Sequence, residues 1–195
     1  MRPRRASAPA ERPARLRRIA LTGTPGTGKS AVARALRRDW PSVEIGPWAA
    51  SVGAGKRVPG GYEVDVGRLR RRMAARSFRP PAPLLVGHLA HLLPVDDVIV
   101  LRCHPEELRR RLVRGHRGTA ADRAENYVSE AIDLVLLEAI RPGRRVYEID
   151  TTGRTVREVA RDVARRLEHP GPSDYGRVDW LADAAVTEHI LARSR

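Results

Sequence analysis

The sequence predicts an α/β fold, a parallel sheet with helices on both faces. Three observations carry that reading. Gly23-Thr24-Pro25-Gly26-Thr27-Gly28-Lys29-Ser30 fits the phosphate-binding spacing G-x-x-x-x-G-K-[ST], between a short apolar stretch and a run of helix formers. Leu84-Leu85-Val86 and Val98-Ile99-Val100-Leu101 are wholly apolar, as expected of strands covered on both sides. Strand-like and helix-like segments alternate along the chain, and no internal repeat is visible.

The totals set bounds on this reading. A chain of 195 residues with 42% hydrophobic content can bury one compact core. No apolar run approaches the ~20 residues needed to span a bilayer, and no signal-peptide core stands near the start. Cys103 is the only cysteine, which excludes an intrachain disulfide and a cysteine-rich metal site. These facts point to a soluble protein of the cytoplasm. The balance of 37 Lys+Arg against 23 Asp+Glu leaves a net charge of +14. A surface of that sign attracts polyanions, RNA or a ribonucleoprotein among them. Aromatic content of 4% argues against a base-stacking platform.

Taken in order, residues 1–17 hold Pro3, Pro9 and Pro13 among scattered arginines, without periodicity, and read as a disordered basic tail. Proline also breaks the amphipathic pattern that a transit peptide needs. Arg18 to Thr22 is a short strand, and Ala31 to Arg38 continues a helix out of the phosphate loop. The loop's glycines, Gly23, Gly26 and Gly28, let backbone N–H groups turn toward phosphate oxygens. Thr24, Pro25 and Thr27 complete the cradle. Lys29 would reach the β- and γ-phosphates of ATP, and Ser30 would offer its hydroxyl to Mg²⁺.

Val43 to Ile45 is a second strand, and residues 46–62, rich in Gly and Pro, read as a long mobile loop. Tyr62 to Val66 is an extended piece ahead of an arginine-rich helix from Gly67 to Arg76, with Asp65 either its cap or a site residue. Pro80 to Pro83 is a rigid break. His88 follows the apolar strand that ends at Val86. Ligands of parallel sheets bind at the C-terminal strand ends, so His88 is a site candidate, while His91 caps or packs. A zinc site is discounted for want of a third ligand. Pro105 opens a helix through Leu112, and Gly115 to Thr119 interrupts it. A long helix is expected from Ala120 to Ile140, ended by Pro142-Gly143. Arg145 to Ile149 is the last strand. Thr155 and Glu158 are spaced as a capping box for a helix ending at Leu167. Pro170-Gly171-Pro172 reads as a linker, and Trp180 to Ala192 as a final amphipathic helix.

From Ile19 to Leu167 the ordered motifs resemble the adenylate kinase isoenzyme six type, also called the coilin-interacting nuclear ATPase (CINAP-like) family, which has archaeal members. The pieces that carry the resemblance are the phosphate loop, Val64-Asp65, Gly87-His88 with Leu89 to Leu93, and Val100-Leu101-Arg102. Arg111-Leu112 with Arg114-Gly115, Glu125-Asn126 with Glu130, and Glu138-Ala139 belong to it too. The resemblance implies a nucleoside monophosphate kinase-like P-loop NTPase fold spanning residues 18–169, followed by a linker and helix over 170–195. It implies adenylate kinase and ATPase activities with ATP and AMP as substrates, Mg²⁺ as the metal, and no membrane. It also implies a part in maturation of the small ribosomal subunit, bound to a ribosomal protein and near rRNA; the alternatives are a ribosome-assembly ATPase with vestigial kinase activity and a kinase of another small substrate. Residues 46–62 would then contribute to the AMP site, and 114–123 would be a short lid.

Three positions depart from that pattern. Val86 stands where relatives carry an acid, Pro47 stands where they often have Asp, and the lid has His116 where an aromatic is common. In the implied mechanism Lys29 meets the γ-phosphoryl charge from below. Arg114, with Arg117 or Arg123, meets it from the lid. The other reading of Arg114 is a cation at a helix C-terminus. His88 orients a water or the acceptor.

Overall fold

The computed structural model describes residues 17–75, 83–141 and 143–193. Residues 1–16 of the tail expected over 1–17, Arg76, Pro80 to Ala82 and Pro142 lie outside the described residues; Arg17 is held by Asp97 (Nε to Oδ2, 2.6 Å). The chain runs β1 (Ile19–Thr22), α1 (Lys29–Leu36), β2 (Ser42–Glu44), α2 (Ile45–Ser51), β3 (Gly55–Val58), β4 (Gly61–Val64) and α3 (Val66–Ala74). It continues through β5 (Leu84–Val86), β6 (Asp97–Arg102), α4 (Pro105–Arg114), α5 (Ala120–Ala131), α6 (Leu134–Ala139), β7 (Arg145–Asp150), α7 (Val156–Glu168) and α8 (Ala184–Arg193). Among the described residues, no helix is long and apolar enough to cross a membrane.

Five strands form one parallel sheet in the order β2-β5-β1-β6-β7, with Leu21 of β1 in register with Val86 on one side and Ile99 on the other. Side chains alternate across it. Ala20, Leu85, Val98, Val100 and Val146 face Trp48, Leu69, Met73 and Leu136 from α2, α3 and α6. Ile19, Leu21, Leu84, Val86, Ile99 and Ile149 face Val32 and Leu36 of α1 and Val159, Val163 and Leu167 of α7. Both faces are covered, which is why the strands carry unbroken apolar runs. β1 lies at the middle of the sheet, between β5 and β6, so the loop leaving it opens over the crevice where strand order reverses.

The structure differs from expectation in three places. Residues 46–62 form a helix and a hairpin where a mobile loop was expected. α2 tolerates Gly46 and Pro47 because both fall in its first turn, where backbone N–H groups have no helical acceptor. It buries Ile45, Trp48 and Ala49, and β3 pairs antiparallel with β4 around Pro59-Gly60. The helix expected from Ala120 to Ile140 is two helices, because Asp133 turns left-handed (φ 59°) and points its carboxylate at Arg102.

The third difference is at the C-terminal end, where the segment expected as a linker is docked. Asp174 bridges in parallel to Tyr147 at the outer edge of β7, donating to Val146 O (2.9 Å) and accepting from Glu148 N (2.8 Å). Tyr147 donates its hydroxyl to Gly171 O at 2.8 Å. The final helix starts later than expected, a 3₁₀ turn over Trp180–Ala182 preceding α8. The Thr155–Glu158 capping box is present as read from sequence.

Candidate active site

The phosphate loop bridges β1 and α1. Gly23 has φ +136°, and a Cβ there would run into the carbonyl of Leu101 on β6. Gly28 caps α1 in the left-handed region (φ 99°), with no side-chain cap in place. Lys29 and Ser30 are the first two helical residues, so their N–H groups have no intrahelical acceptor and are available to an anion. Ser30 is exposed and Pro25 half-buried.

Lys29 folds over the loop. Its Nζ donates to the carbonyls of Gly23 (2.8 Å) and Thr24 (2.9 Å) and lies 3.5 Å from Thr27 Oγ1. The Thr24 carbonyl also accepts from Thr27 N (3.2 Å) and Thr27 Oγ1 (3.0 Å). Desolvation pushes the Lys29 pKa down to about 8, against the pull of Glu130 and then Glu44; Arg117 lowers it slightly further. The ammonium is thus held ready without a strong anionic partner.

His88 stands just past β5, beside this lysine. The residue is exposed, but protein crowds its ring. That desolvation, then Lys29 and His91, push its pKa down to about 4, so the ring is neutral near pH 7. His91 is buried and has a structural role. Its Nε2 lies 2.9 Å from Glu138 Oε2 and its Nδ1 3.0 Å from Thr22 Oγ1. Burial lowers its pKa. The Glu138 carboxylate accepts, so His91 Nε2 carries the proton toward it, while Thr22 Oγ1, which lies against His91 Nδ1, donates to His88 O at 3.2 Å.

Asp65 caps α3, accepting from Arg68 N at 2.7 Å. Val86 is fully buried, and its register partner on β2 is Glu44. Glu44 is exposed, and among the described residues its carboxylate makes no hydrogen bond or ion pair. It contributes to the field at Lys29 all the same. Ser30 and Glu44 both offer oxygen donors, the ligand type that suits a hard cation such as Mg²⁺.

Arg114 is exposed in the last turn of α4. Arg117 follows in the turn between α4 and α5, and its charge reaches Lys29. Arg123 donates to Gly118 O at 2.6 Å. The turn enters α5 through a Thr119–Asp122 capping box. Arg68, Arg71 and Arg72 of α3 line a surface depression of about 520 Å³.

Sequence reasoning did not find the role of Glu130. It is buried on α5, and its Oε2 accepts from Thr24 Oγ1 at 2.5 Å. Its Oε1 accepts from Arg102 Nε (2.7 Å), Cys103 N (3.1 Å) and Trp180 Nε1 (3.3 Å). The available signal was the resemblance, which counts Glu125-Asn126 with Glu130 among its motifs; by composition alone Glu130 is one of three acids on α5, beside Asp122 and Glu125.

A family model described as an AAA domain matches residues 19–133. The chain is similar to a protein named "Putative adenylate kinase" from Thermococcus onnurineus (strain NA1). The two are 38% identical over 165 residues, covering 83% of this chain and 90% of that one. A protein of the same name from Pyrococcus furiosus (strain ATCC 43587 / DSM 3638 / JCM 8422 / Vc1) is 38% identical over 176 residues, covering 89% and 94%. Among solved structures, shikimate kinase from Bacteroides thetaiotaomicron aligns with 77% of this chain and 98% of its own, with 14% identity and a TM-score of 0.48.

Proposed function

The chain belongs to the AAA-domain family, beside archaeal relatives named for adenylate kinase, and on that premise we propose that it transfers the γ-phosphoryl group of ATP to AMP, yielding two ADP. The observation that carries the reading is the convergence of Lys29, Ser30 and a neutral His88 at the C-terminal ends of β1 and β5. Phosphoryl transfer asks a protein mainly for position and positive charge. An oxygen of the AMP phosphate bonds to the γ-phosphorus as the bond to the β-phosphate oxygen breaks. The acceptor oxygen is already ionised, so no general base is required.

Lys29 exchanges its carbonyl contacts for phosphate oxygens. Arg117 and Arg114 supply positive charge from the lid, and the closing lid excludes water. Ser30, with Glu44, would hold Mg²⁺, which when bound neutralises phosphate charge. The arginines of α3 offer charge to the acceptor phosphate. His88, neutral at working pH, orients the acceptor or a water by hydrogen bonding. Measuring ADP formation from ATP with each nucleoside monophosphate, and with none, tests the proposal. Acceleration by AMP above the other acceptors is the expected result, and equal rates with and without any acceptor would overturn it.

A second reading is favoured by the apolar Val86 and by the net charge of +14. In it, ATP hydrolysis drives binding to and release from a maturing small ribosomal subunit. Arginine–phosphate contacts release counterions, so binding to purified subunit precursors should weaken linearly with log salt. Absence of binding at low salt, with and without ATP, removes this reading and leaves the kinase standing.

A further inference from the structure

We propose that Glu130 is a positioning residue through which the C-terminal segment, residues 173–193, sets the conformation of the phosphate loop. The inference rests on the nucleotide-binding reading of that loop and assigns a role to a segment outside it.

The chain of contacts is continuous. Thr24 is the hub of the loop, its carbonyl taking three hydrogen bonds, one of them from Lys29. Among the described residues its side chain has one partner, Glu130 Oε2. The other oxygen of the same carboxylate accepts the Trp180 indole N–H, and also Arg102 Nε. Arg102 is buried and donates onward to Glu148 Oε1 at 2.5 Å. Glu148 Oε2 then gathers the backbone N–H groups of Gly176 (2.9 Å), Arg177 (2.9 Å) and Val178 (3.3 Å). The C-terminal segment thus grips the Glu130–Arg102 pair at two points, Trp180 and the 176–178 turn. Trp180 also stands edge-on to His104 at 5.1 Å, and His104 Nε2 lies 3.1 Å from Asp183 Oδ2.

The same segment packs on the helix that carries the lid. Val186 of α8 is buried against Tyr127 and Ala131 of α5, and His189 stacks on Tyr127 at 4.3 Å. A buried polar network with every member bonded holds one geometry, and removing one donor loosens the rest. Docking of residues 173–193 and ordering of the cradle are therefore one equilibrium. A nucleotide that orders the loop must tighten the segment, and reciprocally.

The test uses full-length protein and a non-hydrolysable ATP analogue. Trp180→Phe keeps an aromatic ring but loses the pyrrole ring with its N–H, and Thr24→Val keeps the shape and removes the hydroxyl. Each should weaken analogue binding by about three- to tenfold, the worth of one hydrogen bond in such a network. The double variant should lose less than the product of the two. For Trp180→Phe the loss should fall on KM for ATP and not on kcat, a split that general destabilisation does not produce. Saturating analogue should also slow amide exchange across residues 173–193 in the unmodified protein. Unchanged affinity in Trp180→Phe together with unchanged exchange in the segment overturns the inference while leaving the nucleotide site intact. Failure of the unmodified protein to bind the analogue overturns the nucleotide reading, and this one with it.

Discussion

Glu44 and Val86 are register partners on β2 and β5, so their side chains leave the sheet on one face, the face against which α1 and its Ser30 are set. On the proposed reading of the site, Glu44 would supply from β2 the acid that a P-loop site needs near its cation. Glu44→Gln should raise the Mg²⁺ concentration needed for half-maximal ADP formation by about tenfold, the scale of losses around metal sites. Val86→Asp should lower it, and should restore the Glu44→Gln variant. A Mg²⁺ titration of the four proteins checks this, and an unchanged midpoint in Glu44→Gln would assign the cation to Ser30 and phosphates alone.

Lys29 gives the free protein a titration near pH 8. Its folded pKa lies below the unfolded value, so the unfolded chain binds more protons between about 8 and 10.5, and stability rises with pH across that window. Nucleotide binding acts in the opposite sense. Phosphates raise the lysine pKa, so the site takes up a proton when ATP binds at pH 8 to 9, and affinity falls as pH rises through 8. Calorimetry in two buffers of different ionisation enthalpy measures that uptake. It should vanish in Lys29→Met, which should also lose ATP turnover while remaining folded.

His88 should titrate far below neutrality, at about 4. The pH–rate profile of ADP formation should therefore show no histidine step between pH 5.5 and 7. A step near 6.5 that disappears in His88→Asn would show that the ring is freely hydrated and that protein does not desolvate it. His88→Asn, which keeps one hydrogen-bonding arm, should retain more activity than His88→Ala.

How much of this was legible in the sequence follows from the range of the interactions. The phosphate loop, the apolar strands and the Thr155–Glu158 cap are local patterns with local causes, and the chain folds there as the residues direct. The region over 46–62 misled because its Gly and Pro residues were read as loop. The Gly46 Cα faces the Tyr62 ring, where a Cβ would come within 2.7 Å, so this glycine serves packing of helix on hairpin. Val58-Pro59-Gly60-Gly61 was an available hairpin signal. The break at Asp133 and the tie from Thr24 to Glu130 had no local signature, because they come from partners 31 and 106 residues away.

Arg102 should be the least replaceable charge in the described core. It is about 1% exposed and holds Glu130, Asp133 and Glu148 together. Arg102→Met leaves these acids facing one another with no cation, and should cost about 3–5 kcal/mol of stability. Urea unfolding at pH 7 measures this. Part of the loss should be recovered below pH 5, where the stranded carboxylates protonate.

Asp174 has a consequence for how copies of this chain meet one another. Its two hydrogen bonds occupy the outer rim of β7 at Val146 and Glu148, and the opposite rim, β2, is only three residues long. Neither border of the sheet offers a run of unpaired backbone long enough to recruit a foreign strand. Strand-to-strand pairing of copies through the borders of this sheet is therefore disfavoured in the intact protein. A chain cut after Glu168 would expose the β7 rim and acquire a route to fibrous aggregation that salt does not suppress.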